Sequence, residues 1–181
     1  KQPIKEKYLL TSELEPTNEW YAIAKIAGLK LCQALKKQYD FDAITLLPSN
    51  LYGPGDNFDP NNAMVIPSLM MRILNNESPL LVWGDGEAIR DFAYSRDVAL
   101  GTIQALHYGT RGDFVNLGSG IGYKISELVE CLNEFIDFEY KFDLSKPNGF
   151  PKRVMDISRA REWIHYEPKT SLREGLELTW N

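Results

Sequence analysis

The sequence predicts an α/β layered fold, on three observations. Apolar runs of strand length alternate with longer segments that carry apolar residues at helical spacing. Gly, Pro, Asn and Asp cluster between them, where turns belong. Hydrophobic residues make up 44% of the 181 and charged residues 25%, a composition that supports a packed core and argues against disorder.

In chain order, residues 1–18 (KQPIKEKYLLTSELEPTN) read as loop. Residues 19–39 read as a long helix with Thr17 or Asn18 as its cap, since Ala24, Ala27, Leu31 and Leu35 follow helical spacing. DAITLLPSN is a short apolar run closed by Pro48, hence a buried strand, and LYGPGDNFDPNN after it reads entirely as loop. VIPSLMMRILNN is a second helix and PLLVWGDG a strand with its turn. Asp97 caps a third helix, DVALGTIQALHYG, followed by strand DFVNL and turn GSGIGY. The amphipathic helix ISELVECLNEFID, strand EYKFDL and loop SKPNGFPKRV come next, and two short helices flank Pro168. The chain lacks an initiator Met and opens in loop-like sequence, so it reads as a piece of a longer protein.

A net charge of −5 argues against a nucleic-acid partner held through phosphates. No apolar run approaches the ~18 residues of a membrane helix, so no membrane association is expected. Cys32 and Cys131 lie far apart with neither disulfide nor metal-ligand spacing, which suits a reducing, cytoplasmic setting and predicts no metal.

Tyr21 and Lys25 are four residues apart on the first helix and share a face. An ammonium one turn away favours the phenolate and makes the phenol a better proton donor to an alkoxide. With nine tyrosines in the chain, a Y-x-x-x-K spacing by itself also arises by chance. GSGIG lies between a strand and a helix, but the third glycine of a dinucleotide fingerprint would fall at Tyr123, so a tight turn is the better reading. Arg72, Arg90, Lys152 and Arg153 could hold a diphosphate through planar donors or be solvated surface charge. Trp83 could stack on a base or sugar and is otherwise core; His107 and His165 share no local motif and read as structural.

Taken together, EPTNEWYAIAKIAGLKLC, LPSNLYGPGDNF, VWGDGEAIRDF, NLGSG and SKPNGFPKR resemble, in order and spacing, the extended short-chain dehydrogenase/reductase family. Within it they are most similar to the branch of GDP-4-keto-6-deoxy-sugar epimerase-reductases, to which Ala22, Ile23 and Ala24 look specific. The resemblance covers essentially the whole chain. It implies the C-terminal part of a Rossmann-like NAD(P)-binding fold plus a small α/β substrate-binding domain. Residues 1–60 would end the first, and 61–181 would form mainly the second, with about 90–110 returning to the first.

The resemblance further implies an NADP(H)-dependent enzyme that converts GDP-4-keto-6-deoxy-D-mannose to GDP-L-fucose. Tyr21 would protonate the C4 oxygen, with Lys25 at the nicotinamide ribose. Pro48, Ser49, Asn50, Leu51 and Met64 match cofactor-binding positions; Arg72, Trp83, Arg90, Asn148 and Arg153 match positions that hold the GDP-sugar. Three residues depart from the family pattern. Met64 stands where the family has its histidine acid for epimerisation, and a thioether cannot donate that proton. Asn148 replaces an aspartate and Arg153 a lysine. The family's Gly-rich loop, catalytic serine and epimerisation cysteine belong to an N-terminal portion outside this sequence, so the chain alone is expected to be inactive. A homodimer through the helix of Tyr21, with Ala24, Ala27 and Gly28 allowing close approach, is also implied. Open alternatives are a C4-reductase without epimerase activity, a 4-epimerase or dehydratase, and a non-catalytic nucleotide-sugar-binding module.

Overall fold

The computed structural model describes every residue from Lys1 to Asn181. Helix α1 spans Glu19–Tyr39, as its spacing predicts. The expected side-chain cap does not form. Asn18 occupies the N-cap position without a side-chain bond, because the chain enters α1 through a 3-10 turn at Pro16–Asn18. There Asn18 donates its own backbone N–H to Glu15 O at 2.9 Å. At the other end Asp40 takes a left-handed conformation and pairs with Lys36 at 2.6 Å.

Strand β1 (Thr45–Pro48) is followed by β2 (Asn50–Tyr52), which takes Leu51 and Tyr52 out of the segment expected to be all loop. Helix α2 (Val65–Leu74) and strand β3 (Leu80–Trp83) follow. Two strands with no signal in the sequence, β4 (Ile89–Arg90) and β5 (Phe92–Tyr94), lead into α3 (Ser95–Tyr108). Next come β6 (Phe114–Leu117), β7 (Tyr123–Lys124), α4 (Ile125–Asn133) and β8 (Tyr140–Asp143). Strand β9 (Lys152–Arg153) falls inside the expected SKPNGFPKRV loop, before α5 (Ser158–Ile164) and α6 (Leu172–Trp180).

β1 pairs with β6, β2 with β5 and β3 with β8, all parallel; β4 lies between antiparallel β7 and parallel β9. Parallel neighbours this far apart in sequence need crossover connections, which the helices supply. The molecule is thus α/β, with two packed cores. One gathers Ile66, Leu69 and Met70 of α2, Leu80 and Val82 of β3, Leu128 and Leu132 of α4, and Leu176 of α6. The other gathers Val98 and Ala105 of α3, Val115 and Leu117 of β6, and Ala160, Ile164 and Tyr166 around α5.

Asp97 does not cap α3. The helix begins two residues earlier, with Tyr94 at the N-cap, and the buried Asp97 carboxylate accepts from the backbone N–H groups of Lys169 (3.0 Å) and Thr170 (2.9 Å). No helix is long and apolar enough to cross a membrane.

Candidate active site

α1 presents Tyr21 outward, 61% exposed, with the Lys25 ammonium 5.4 Å from the ring centroid. The i, i+4 spacing brings them together as expected. Only Leu29 of the helix is buried, and Trp20, Ile23 and Leu31 are exposed along it.

The step from β1 to β2 carries Pro48, Ser49, Asn50 and Leu51. Ser49 N–H donates to Leu117 O at 2.9 Å, and its hydroxyl donates to Asp91 Oδ1 at 3.1 Å. Asn50 Nδ2 donates to Asp91 O at 2.8 Å. Both polar side chains are therefore held inward, while Pro48 and Leu51 are exposed. Met64 stands at the N-cap of α2, 56% exposed. Leu51 borders a cleft of about 170 Å³ formed by residues 51–56 with Ser95.

The basic residues separate into two groups. Arg72, on α2, is engaged by Glu77 through Nε (2.7 Å) and Nη2 (2.5 Å), and Nη2 also donates to Leu81 O at 2.6 Å. That pairing holds the Glu77 carboxyl below its ordinary range and leaves Arg72 with its Nη1 donors. Arg90 and Arg153 lie side by side as register partners on β4 and β9. Arg90 Nη1 donates to Phe150 O at 2.6 Å, and burial followed by the nearby Arg153 charge lowers its pKa. Arg153 is paired with Glu15, just before the turn into α1. Glu15, Arg153, Phe150, Tyr8 and Ser12 are among the walls of a cleft of about 380 Å³. Lys152 is exposed on β9. Two neighbouring guanidinium groups, one of them paired with a carboxylate, form a setting that an incoming anion would stabilise.

Trp83 is not core. The alternation of β3 buries Leu80 and Val82 and turns Leu81 and Trp83 outward, leaving Trp83 63% exposed with Lys146 Nζ 5.4 Å from its ring. The turn after it is clasped by Asn148, whose Nδ2 donates to Asp85 Oδ2 (2.7 Å) while its Oδ1 accepts from Asp85 N–H (2.8 Å). His107 and His165 flank the Tyr108 ring at 4.6 and 4.7 Å, away from these residues in sequence and fold.

The Gly118–Gly122 turn offers backbone N–H groups like those of an anion-binding loop, but they are taken internally: Asp91 accepts from Ser119 N–H (2.8 Å) and Gly120 N–H (3.2 Å). Sequence reasoning missed Asp91 and Glu15. Glu15 was hidden in a segment read as loop, and the partners of Asp91 come from distant parts of the chain.

Residues 1–118 match the model of the NAD dependent epimerase/dehydratase family. The chain is 46% identical over 186 residues to GDP-L-fucose synthase 1 of Arabidopsis thaliana, covering 99% of this chain and 57% of the relative. It is 45% identical to the probable GDP-L-fucose synthase 1 of Oryza sativa subsp. japonica, with 99% and 56% covered. It therefore spans a little over half the length of these curated relatives. Among solved structures it is similar to the GDP-mannoheptose C4 reductase from Campylobacter jejuni with NADP bound, at TM-score 0.82 and 26% identity, covering 99% of this chain and 64% of that one.

Proposed function

The chain belongs to the NAD dependent epimerase/dehydratase family, and from that membership we propose that it is the C-terminal portion of an NADP(H)-dependent GDP-sugar epimerase-reductase of the GDP-L-fucose synthase type. The observation that carries this reading is the exposed Tyr21–Lys25 pair, set in a chain 46% identical to a GDP-L-fucose synthase. The residues fit a nicotinamide cofactor: Lys25 offers an ammonium to ribose hydroxyls, and the exposed Pro48 and Leu51 offer an apolar edge. NADPH, when bound, supplies the hydride for reduction at C4. Tyr21 donates its phenolic proton to the C4 oxygen, and Lys25 orients the ribose. Ser49 and Asn50 hold the shape of the loop that carries Pro48 and Leu51. Arg90 and Arg153 take the diphosphate, Arg72 adds its Nη1 donors, and Trp83 with Asn148 borders the sugar-nucleotide.

Residues 1–60 and about 90–110 form part of the cofactor-binding unit on this reading, joined by β6 and α5, which share a core with α3. The rest forms the substrate-binding unit. The open apolar residues Trp20, Ile23 and Leu31 of α1 suit a homodimer contact, and the free Cys32 and Cys131 suit a reducing cytoplasm.

A second reading rests on Met64. A thioether at the position of the family's histidine acid removes a proton donor for C3/C5 inversion, which favours a C4-reductase acting on a sugar epimerised elsewhere. One experiment separates the two. The full-length protein is incubated with GDP-4-keto-6-deoxymannose and NADPH in D2O, and deuterium in the product is mapped by NMR. NADPH loss with label at C3 and C5 supports the epimerase-reductase; loss without label there supports the reductase. Tyr21→Phe should lower turnover by roughly 10²- to 10⁴-fold. Full turnover in that variant would overturn the role of Tyr21 on which both readings rest, whereas no turnover in the unaltered full-length protein would leave a binding module.

A further inference from the structure

Resting on that reading, we propose that Asp91 is a positioning residue that sets the cofactor loop and the GDP-sugar arginines in one frame. Asp91 is 1% exposed. Its Oδ1 accepts from Ser49 Oγ (3.1 Å), Ser119 N–H (2.8 Å) and Ser119 Oγ (2.8 Å), and its Oδ2 accepts from Gly120 N–H (3.2 Å) and Met155 N–H (3.1 Å). Its main chain is equally committed. Asp91 O accepts from both Asn50 N–H (3.3 Å) and Asn50 Nδ2 (2.8 Å), and Asp91 N–H donates to Arg153 O at 3.0 Å. Five donors meet two oxygens, the pattern of a carboxylate that only accepts.

The segments joined here carry the proposed contacts of the cofactor loop and of Arg90 and Arg153. Ser49 and Asn50 belong to the cofactor loop, Arg90 precedes Asp91 in the chain, and Arg153 is the register partner of Arg90 two residues before Met155. A buried carboxylate is costly unless donors surround it, and its removal leaves those donors without acceptors in a site closed to water. Neither an apolar residue nor an amide can accept all five bonds. Loss of this carboxylate therefore releases the cofactor loop and the arginine strands together, although Asp91 itself touches neither ligand.

The test uses the full-length protein and measures NADPH and GDP binding separately by calorimetry, well below the melting temperature. Asp91→Asn should weaken both ligands, each by roughly 5- to 100-fold, within the span of couplings inside one hydrogen-bonded network. Arg153→Ala should weaken GDP alone, and Ser49→Ala should weaken NADPH alone. Adding Ser49→Ala to Asp91→Asn should then weaken NADPH by less than about twofold more, because both changes break one connection. If Asp91→Asn does not fold, Ser119→Ala, which removes one hydroxyl donor, should weaken both ligands by a smaller factor. A folded Asp91→Asn protein that binds both ligands as the wild type does, or loses only one of them, would overturn the proposal. So would full additivity with Ser49→Ala, the result expected if Asp91 served stability alone. Wild-type protein that binds neither NADPH nor GDP would instead overturn the functional reading on which the proposal stands.

Discussion

At Gly118 the backbone passes so close to Asp91 that a Cβ would lie 2.5 Å from Oδ2 and 3.1 Å from Met155 Cβ. Neither neighbour can retreat freely, because the carboxylate is held by five donors and Met155 N–H is one of them. Gly118→Ala should therefore destabilise the protein by roughly 1–3 kcal/mol, the usual cost of forcing atoms into a packed site. Denaturant unfolding monitored by circular dichroism measures it, and an unchanged midpoint would refute the close approach. The sequence made this turn conspicuous through its glycines but could not say what they admit. The register of G-x-G-x-x-G fails at Tyr123, and the carboxylate that occupies the turn comes from the single residue between two strands too short to leave a periodic signal. Tyr21 and Lys25 were legible because their partnership is local, fixed by the helical repeat. Trp83 was legible in part: the alternation along β3 decides that it faces outward, but only once its neighbour Val82 is known to face a core.

Elements follow the same division between local and long-range causes. Helices α1 to α6 announce themselves through spacing, whereas β4, β5, β7 and β9 contain two or three residues each and exist only through their partners. The start of α3 at Ser95 is set the same way, by long-range contacts. An Asp ahead of an apolar helical run reads as a cap, yet Asp97 lies in the first turn and its acceptors serve the connection between α5 and α6. Asp97→Ala should leave the Lys169 and Thr170 N–H groups without partners and destabilise the fold by about 1–3 kcal/mol. Hydrogen exchange should localise the loss to those two amides and to α6. Protection there equal to wild type would show that α6 is held by its apolar contacts alone, among them Leu172 and Leu176.

Over the whole molecule, the two cores meet at β5. Side chains alternate across a strand, so Phe92 and Tyr94 enter the core shared by α2, α4 and α6, while Ala93 enters the one shared by α3, β6 and α5. A strand common to both should make them unfold as one unit, even though the sequence suggests two regions. Two tryptophans can report this. Trp163 packs against the second core and Trp180 against the first, whereas Trp20 and Trp83 are mostly exposed. In variants that retain only Trp163 or only Trp180, the fluorescence transitions in denaturant should share one midpoint. Phe92→Ala, a large-to-small change at a buried site, should cost about 3–5 kcal/mol and move both midpoints together. If the Trp180 signal shifted while that of Trp163 stayed in place, the cores would be separate folding units and β5 only their boundary. A common shift has a consequence for function. Arg90 and Asp91 lie immediately before this strand; Asn50 lies against it through the Asp91 carbonyl and its pairing with Phe92, and Ser49 is tied to the Asp91 carboxylate. The proposed contacts of the cofactor loop and of Arg90 are then anchored to the most cooperatively held part of the chain, which is where a site that must keep two ligands in register gains most from rigidity.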